Sequence, residues 1–223
     1  MTRTKLCDRQ LPSYTLGEEI LNTASHAIGA LLGVAALVVC IVYSVSNHDV
    51  WAVVSSAVYG SSLIMLYSMS SVYHALRPST AKKVMQVIDH CTIYFLIAGT
   101  YTPVLLCSVR GQSAPLAWTL FGIVWGVSAL ATVFTAIDLK KYQKFSMICY
   151  IGLGWCIIVA SKTAYRAIGF EGFAYLLIGG VLYTVGAVLY GLGKKHRYVH
   201  SIFHMFVVCG SIMHFLCIIT SVL

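Results

Sequence analysis

The fold is decided by a long uncharged stretch near the start of the chain, residues 24–44, which has the sequence ASHAIGALLGVAALVVCIVYS. Its 21 residues include no Asp, Glu, Lys or Arg. A helix of that length rises about 30 Å, enough to cross the hydrocarbon core of a bilayer. Further apolar stretches follow at residues 51–76, 84–107, 115–137, 145–161, 172–192 and 199–222. The sequence therefore predicts an all-α integral membrane protein, a bundle of seven transmembrane helices.

The composition supports a membrane location. Of the 223 residues, 59% are hydrophobic and only 10% are charged, which excludes an ordinary soluble domain. The apolar stretches are joined by short connections, so we expect one membrane domain at residues 24–223. A polar tail and the start of the first helix precede it at residues 1–23, and because no apolar signal core lies there, the first span is expected to remain in the mature protein.

The basic residues predict the orientation. Positively charged residues favour the cytoplasmic side of a membrane protein, and 12 of the 15 fall on the side of the N-terminal tail. The N-terminus is therefore expected in the cytoplasm and the C-terminus outside. Because topology accounts for the net charge of +8, no nucleic-acid partner is expected. The 12 are Arg3, Lys5, Arg9, Arg77, Lys82, Lys83, Lys140, Lys141, Lys144, Lys194, Lys195 and Arg197; the other three are Arg110, Lys162 and Arg166.

This orientation places several ionisable residues at one depth. His74 ends the second span, and His200 and His204 begin the seventh, so all three lie near the cytoplasmic surface. Asp89 lies about 9 Å into the third span, which starts from the same surface. Ser70 precedes His74 by one helical turn, where it could hydrogen-bond a metal ligand or water. Ionisable residues inside a membrane are functional by default.

Two interpretations of this layer remain open on spacing alone. His200 and His204 are four residues apart, on one face of a helix, which suits two ligands of one ion. Three imidazoles with an open fourth position are typical of catalytic zinc. Alternatively, the histidines hydrogen-bond Asp89 and nearby carbonyls and hold the helices together.

Two pairs of glycines predict close helix contacts. Gly29 and Gly33 lie in the first span, and Gly122 and Gly126 in the fourth. Small residues four apart let neighbouring helices approach closely, and we expect both pairs to pack within the chain.

Four motifs together resemble the hemolysin III branch of the progestin and adipoQ receptor (PAQR) superfamily. They cover most of the chain in the expected order. The motifs are EEILNTASHAIG at residues 18–29, SMSSVYHAL at 68–76, VIDHCTIYFLIAGTYTP at 87–103 and HSIFHMFVVCGSIMHF at 200–215.

The resemblance implies a zinc site. The superfamily has seven helices, a cytoplasmic N-terminus and zinc held by three histidines, which match His74, His200 and His204. The aspartate that contacts the zinc-bound water matches Asp89, and a neighbouring serine matches Ser70. For the motif at the start of span one, two roles stay open, a shell around the metal ligands or a helix start; the matching residues are Glu19, Asn22, Ser25 and His26. His214 lies about 15 Å from His204 and cannot share its ion.

Several functions are compatible with this resemblance. Hydrolase relatives imply a zinc-dependent enzyme that cleaves a membrane lipid amide or ester. Alternatives are a pore-forming cytolytic protein of the hemolysin type and a receptor or regulator with structural zinc. Each implies membrane lipids as partners and a multi-pass location in a bacterial plasma membrane. The sequence specifies no oligomeric state.

Overall fold

Each predicted apolar stretch is helical over most of its length, and the part of the chain that the structure describes contains no strand. The structure, a computed structural model, describes residues 4–6, 8–193 and 196–223. Within them, six helical runs are long and apolar enough to cross a membrane. These are Leu16–Ser46 (α1), Val50–Ala75 (α2), Thr80–Gln112 (α3), Ala114–Ile137 (α4), Gln143–Leu192, which contains α5 (Gln143–Gly154) and α6 (Ser161–Leu192), and Val199–Val222 (α7).

The Gln143–Leu192 run is a helical hairpin. Gly169 interrupts α6 with φ 70° and ψ −175°, in a region that glycine adopts without steric cost. Trp155 Nε1 donates a hydrogen bond to Thr184 Oγ1 at 2.9 Å, whereas an unbroken helix would hold these residues about 40 Å apart. The chain therefore reverses near Gly169, eight residues beyond the predicted end of the fifth span.

Two other helices extend beyond the predicted spans. α1 begins at Leu16, where the Thr15 side chain accepts a hydrogen bond from the Glu18 backbone and the Glu18 carboxylate accepts one from Thr15. This capping box satisfies backbone groups at the helix start and makes the 18–29 motif helical. α3 continues past Pro103 through a π-helical segment, Val104–Val109.

The helices surround α3, which is the most buried of the apolar runs. The apolar core has two parts. One lies around α3 and α4 and includes Tyr94, Ala98 and Val124. The other joins α1 and α2 to α7 and includes Cys40, Tyr59 and Val207.

The two glycine pairs differ in their packing. A Cβ atom on Gly29 would lie 2.6 Å from the Tyr67 ring, and one on Gly33 would lie 3.2 Å from the Ile64 backbone nitrogen, so α1 and α2 depend on these glycines for their close contact. Around Gly122 and Gly126, nothing beyond the adjoining residues and the backbone of the same helix lies within 4 Å of such a Cβ among the described residues. The prediction of packing within the chain is confirmed for the first pair and wrong for the second, which lies on an uncovered face of α4.

Candidate metal centre

Three buried histidines from two helices meet at one end of the bundle. His74 lies in the last turn of α2, and His200 and His204 lie one turn apart near the start of α7. One ring nitrogen from each histidine lies within 4.8 Å of the other two. The i, i+4 spacing puts His200 and His204 on one face of α7, and the fold turns this face toward α2.

The hydrogen bonds of these histidines leave nitrogen atoms available for a metal. His74 Nδ1 lies 2.7 Å from Glu19 Oε2, and His74 Nε2 is buried with no hydrogen-bond partner among the described residues. The Nε2 atoms of His200 and His204 lie 3.1 Å apart. A buried polar atom without a partner is costly in the membrane, and a bound cation would remove that cost by accepting its lone pair.

The three imidazole nitrogens are of the kind that zinc binds, and the distances between them are close to those in a zinc site. Zinc binds imidazole nitrogen at about 2.1 Å with tetrahedral angles, so two ligand atoms of one ion lie about 3.4 Å apart. The pair from His200 and His204 is close to that separation. Atoms up to 4.8 Å apart must approach by up to about 1.4 Å to share the ion. Three neutral imidazoles are therefore suitable ligands for a divalent transition metal, with room for a fourth.

A carboxylate and a lysine form a hydrogen-bonded chain on the Nδ1 side of His74. Glu19 accepts hydrogen bonds from His74 through Oε2 and from Lys82 Nζ through Oε1, the latter at 2.5 Å. Lys82 also donates to the Leu76 carbonyl at 2.8 Å and is 2% exposed. Lys82, one of the 12 basic residues that predicted the orientation, is thus buried in the first turn of α3. A carboxylate on the second nitrogen of a ligating histidine fixes its tautomer.

Other residues of the 18–29 motif also contact the cluster. The Asn22 amide lies 3.3 Å from His74 Nδ1 and accepts a hydrogen bond from Ser201 Oγ at 2.7 Å. The His26 ring stacks on His204 with the ring centroids 3.7 Å apart. Ser25 donates instead to the Asn22 carbonyl of its own helix. Glu19, Asn22 and His26 therefore surround the histidines, while the Ser25 hydroxyl bonds within its own helix.

Tyr14 covers the cluster and was not predicted. Its ring stacks on His200 with centroids 4.8 Å apart, and it lies 5.7 Å from the His74 ring. Burial raises the pKa of Tyr14, which precedes α1, well above its ordinary value, so the phenol stays neutral. A single tyrosine in a polar tail gives no signal of such a contact in the sequence.

A cavity of about 840 Å³ adjoins the cluster. His200, His204, Ser70 and Asp89 line it, whereas the His74 side chain is fully enclosed. Asp89 Oδ2 lies 3.6 Å from His90 Nδ1, and no hydrogen bond joins Asp89 to the three histidines among the described residues. Asp89 and Ser70 thus face the same space as two of the histidines.

Comparison with known proteins gives the family. The family model described as "Haemolysin-III related" matches residues 14–215. The chain belongs to this family. It is 42% identical to Hemolysin-3 of Bacillus cereus over 92% of each chain, and 38% identical to a Hemolysin-3 homolog of Bacillus subtilis over 92% of this chain and 95% of the relative. It is 27% identical to the human monocyte to macrophage differentiation factor over 90% of this chain and 83% of that protein.

Family membership and the apolar helices establish a multi-pass membrane protein. The matched region, residues 14–215, includes Tyr14, the 18–29 motif and all three histidines. The Bacillus relatives agree with the bacterial cell membrane that the sequence resemblance implied. The recognition of the hemolysin III family from the sequence motifs is therefore confirmed.

Proposed function

We propose that this chain is a zinc-dependent hydrolase that cleaves an amide or ester bond of a membrane lipid. The observation that carries the proposal is the convergence of three buried imidazoles beside a large cavity that also receives Asp89 and Ser70. When bound, zinc would act as a Lewis acid that lowers the pKa of water and polarises a carbonyl. His74, His200 and His204 would hold it.

The chain's own residues would supply positioning and proton transfer. Glu19 would keep the His74 proton on Nδ1 and leave Nε2 for the metal. The Asp89 carboxylate would accept a proton from the attacking water and return it to the leaving nitrogen or oxygen. Ser70, which is 1% exposed and lines the cavity, would donate a hydrogen bond to the water or the substrate carbonyl. Water adds to the carbonyl carbon, and the bond to the leaving group breaks.

The same proposal includes seven membrane crossings with the N-terminus in the cytoplasm. The Gln143–Leu192 run measures 50 residues, about 75 Å as a straight helix, which exceeds the hydrocarbon thickness more than twofold. Its reversal near Gly169 supports two crossings in this run. With the bias of basic residues, this topology places the histidines in the cytoplasmic half of the membrane, where a lipid of the inner leaflet could enter the cavity.

The test uses the full chain purified in detergent without added metal. Bound metal is measured by inductively coupled plasma mass spectrometry, and fatty acid release is measured on a panel of lipid amides and esters. We expect about one zinc per chain and cleavage of at least one lipid class. Asp89→Asn should keep the metal and lose cleavage, while His48→Ala, a change at an exposed histidine, should alter neither. Wild-type protein that binds no metal would contradict the proposal.

Membrane lysis is a second candidate because two relatives carry the name Hemolysin-3. Dye release from liposomes distinguishes the two functions. Release that persists with a chelator and in His204→Ala would favour lysis. Stoichiometric metal without cleavage of any lipid would favour the third alternative, a receptor or regulator with structural zinc.

A further inference from the structure

The N-terminal segment contributes a buried cation to the cavity. Arg9 is 8% exposed and lines the same 840 Å³ space as His200 and His204. Its Nε and Nη1 atoms are buried without a hydrogen-bond partner in residues 4–6, 8–193 and 196–223. A guanidinium keeps its charge at any physiological pH, and a buried charge without a partner is costly. The arrangement therefore needs a complementary group that the described residues do not supply.

Asp138, a carboxylate that the charge of Arg9 influences, is hydrogen-bonded to other groups. Asp138 Oδ2 accepts the Thr4 backbone N–H at 2.7 Å, and Oδ1 accepts that of Lys141 at 3.1 Å. Burial alone would raise the pKa of Asp138, but these hydrogen bonds and, more weakly, the charge of Arg9 lower it below its usual range. No ion pair within 4 Å joins Arg9 to an acidic side chain of the described residues.

The carboxylates that line the cavity also have partners. Glu18 accepts hydrogen bonds from Thr15 and from the Tyr198 backbone N–H, and Asp89 lies beside His90. Two exposed basic residues, Lys140 and Arg197, line the cavity together with Arg9. Three basic side chains therefore line the cavity next to the histidines, where they could bind an anion.

We propose that Arg9 binds a phosphate group and that the ligand of the cavity is a phosphate-bearing amphiphile. The planar guanidinium offers parallel N–H donors that match two phosphate oxygens, and Lys140 and Arg197 add charge. The inference rests on the proposed function, for which it specifies the substrate class: a lipid with an anionic phosphate headgroup near Arg9 and its amide or ester near the histidines.

Binding to the full chain in a non-ionic, phosphate-free detergent tests this inference by isothermal titration. The probes are dioctanoyl phosphatidic acid, dioctanoylglycerol, which has the same acyl chains without the phosphate, and inorganic phosphate. The variants are Arg9→Gln, Arg9→Lys and the matched control Arg77→Gln, whose arginine is exposed and outside the cavity lining. Arg9 precedes the first helix, so its replacement should leave the bundle folded, as thermal unfolding would verify.

We expect wild type and Arg77→Gln to bind phosphatidic acid about tenfold more tightly than dioctanoylglycerol, and Arg9→Gln to lose most of this preference. Arg9→Lys should recover it only in part because the paired donors are lost. Inorganic phosphate that binds as tightly as phosphatidic acid would support the phosphate site but assign it to the free ion. Equal binding by Arg9→Gln and Arg77→Gln would overturn the inference. Because binding requires no cleavage, this outcome is separate from a failure of the hydrolase proposal.

Discussion

Two regions of α7 carry histidines ten residues apart, and their surroundings differ. At the start of the helix, His200 and His204 face each other and His74, with ring nitrogens within 4.8 Å. Further along the helix, His214 is a single imidazole whose Nε2 donates to the Leu176 carbonyl at 3.1 Å. His214 therefore forms a hydrogen bond of its own inside the bundle, separate from the triad.

The region around His214 is held together by hydroxyl groups. Tyr67 and Tyr183 each place a phenol oxygen 2.6 Å from Ser211 Oγ, and the Tyr183 ring packs against His214 with centroids 5.3 Å apart. Tyr67 also meets the first region, since its ring lies edge-on to His26 at 5.0 Å. Hydrogen bonds of this kind satisfy polar side chains in hydrocarbon and join helices.

The difference shows what separates a candidate site from a structural contact in a membrane. One histidine can satisfy a nitrogen with a neighbouring carbonyl. Three converging histidines instead direct a ring nitrogen each into one shared space. Among the described residues, only this triad forms a group of three that could hold a metal. The comparison yields four predictions.

The largest effect is expected when His204 is replaced. In His204→Ala, the site loses one of three ligands, and we expect bound zinc to fall from about one ion per chain to nearly none. His214→Ala is the matched control on the same helix and should retain the metal. Metal analysis of both purified variants checks this, and equal loss in both would mean that zinc does not depend on the triad.

The next effect concerns Glu19, which supports the triad without belonging to it. Glu19→Gln removes the carboxylate from His74 Nδ1, and we expect zinc affinity to fall about 10- to 100-fold. Competition with a fluorescent chelator measures the affinity. Ser25→Ala is the control, because Ser25 belongs to the same motif but bonds only its own helix. An unchanged affinity in Glu19→Gln would remove Glu19 from the metal centre.

A smaller effect tests the packing that joins the two regions. Gly29→Ala would place a methyl group against the Tyr67 ring, and we expect a destabilisation of about 2 kcal/mol. Gly122→Ala is the control, because nothing in the described structure lies near the added methyl. Unfolding in mixed detergent micelles gives both free energies. If the two variants have the same stability, close contact at Gly29 is not required.

Much of this arrangement follows from sequence periodicity. Uninterrupted apolar stretches located the helices, and the four-residue spacing of His200 and His204 placed them on one face. In α2, Tyr67, Ser70 and His74 recur at helical spacing on one face, and all three are buried.

Tertiary contacts explain what the sequence did not reveal. Lys82 is one of the basic residues that predicted the orientation, but the Glu19 carboxylate and the Leu76 carbonyl compensate its charge across three helices. Tyr14 and Arg9 lie in a polar tail without periodicity, so nothing local indicates that they reach the cavity. The depth of Asp89 suggested contact with the histidines, whereas rotation about α3 directs it toward the cavity and His90.

The smallest effect is expected for Ser211, whose hydroxyl group lies at the centre of the hydrogen bonds near His214. Ser211→Ala removes hydrogen bonds to both Tyr67 and Tyr183, and because such bonds are weak in membrane bundles we expect a destabilisation of about 1 kcal/mol. Zinc content should remain at the wild-type value, since this region supplies no metal ligand. Thr220→Ala, at an exposed residue of the same helix, is the control. Loss of zinc in Ser211→Ala with little loss of stability would show that the two regions are coupled through Tyr67 and His26, and that the division between a metal centre and a structural contact is too sharp.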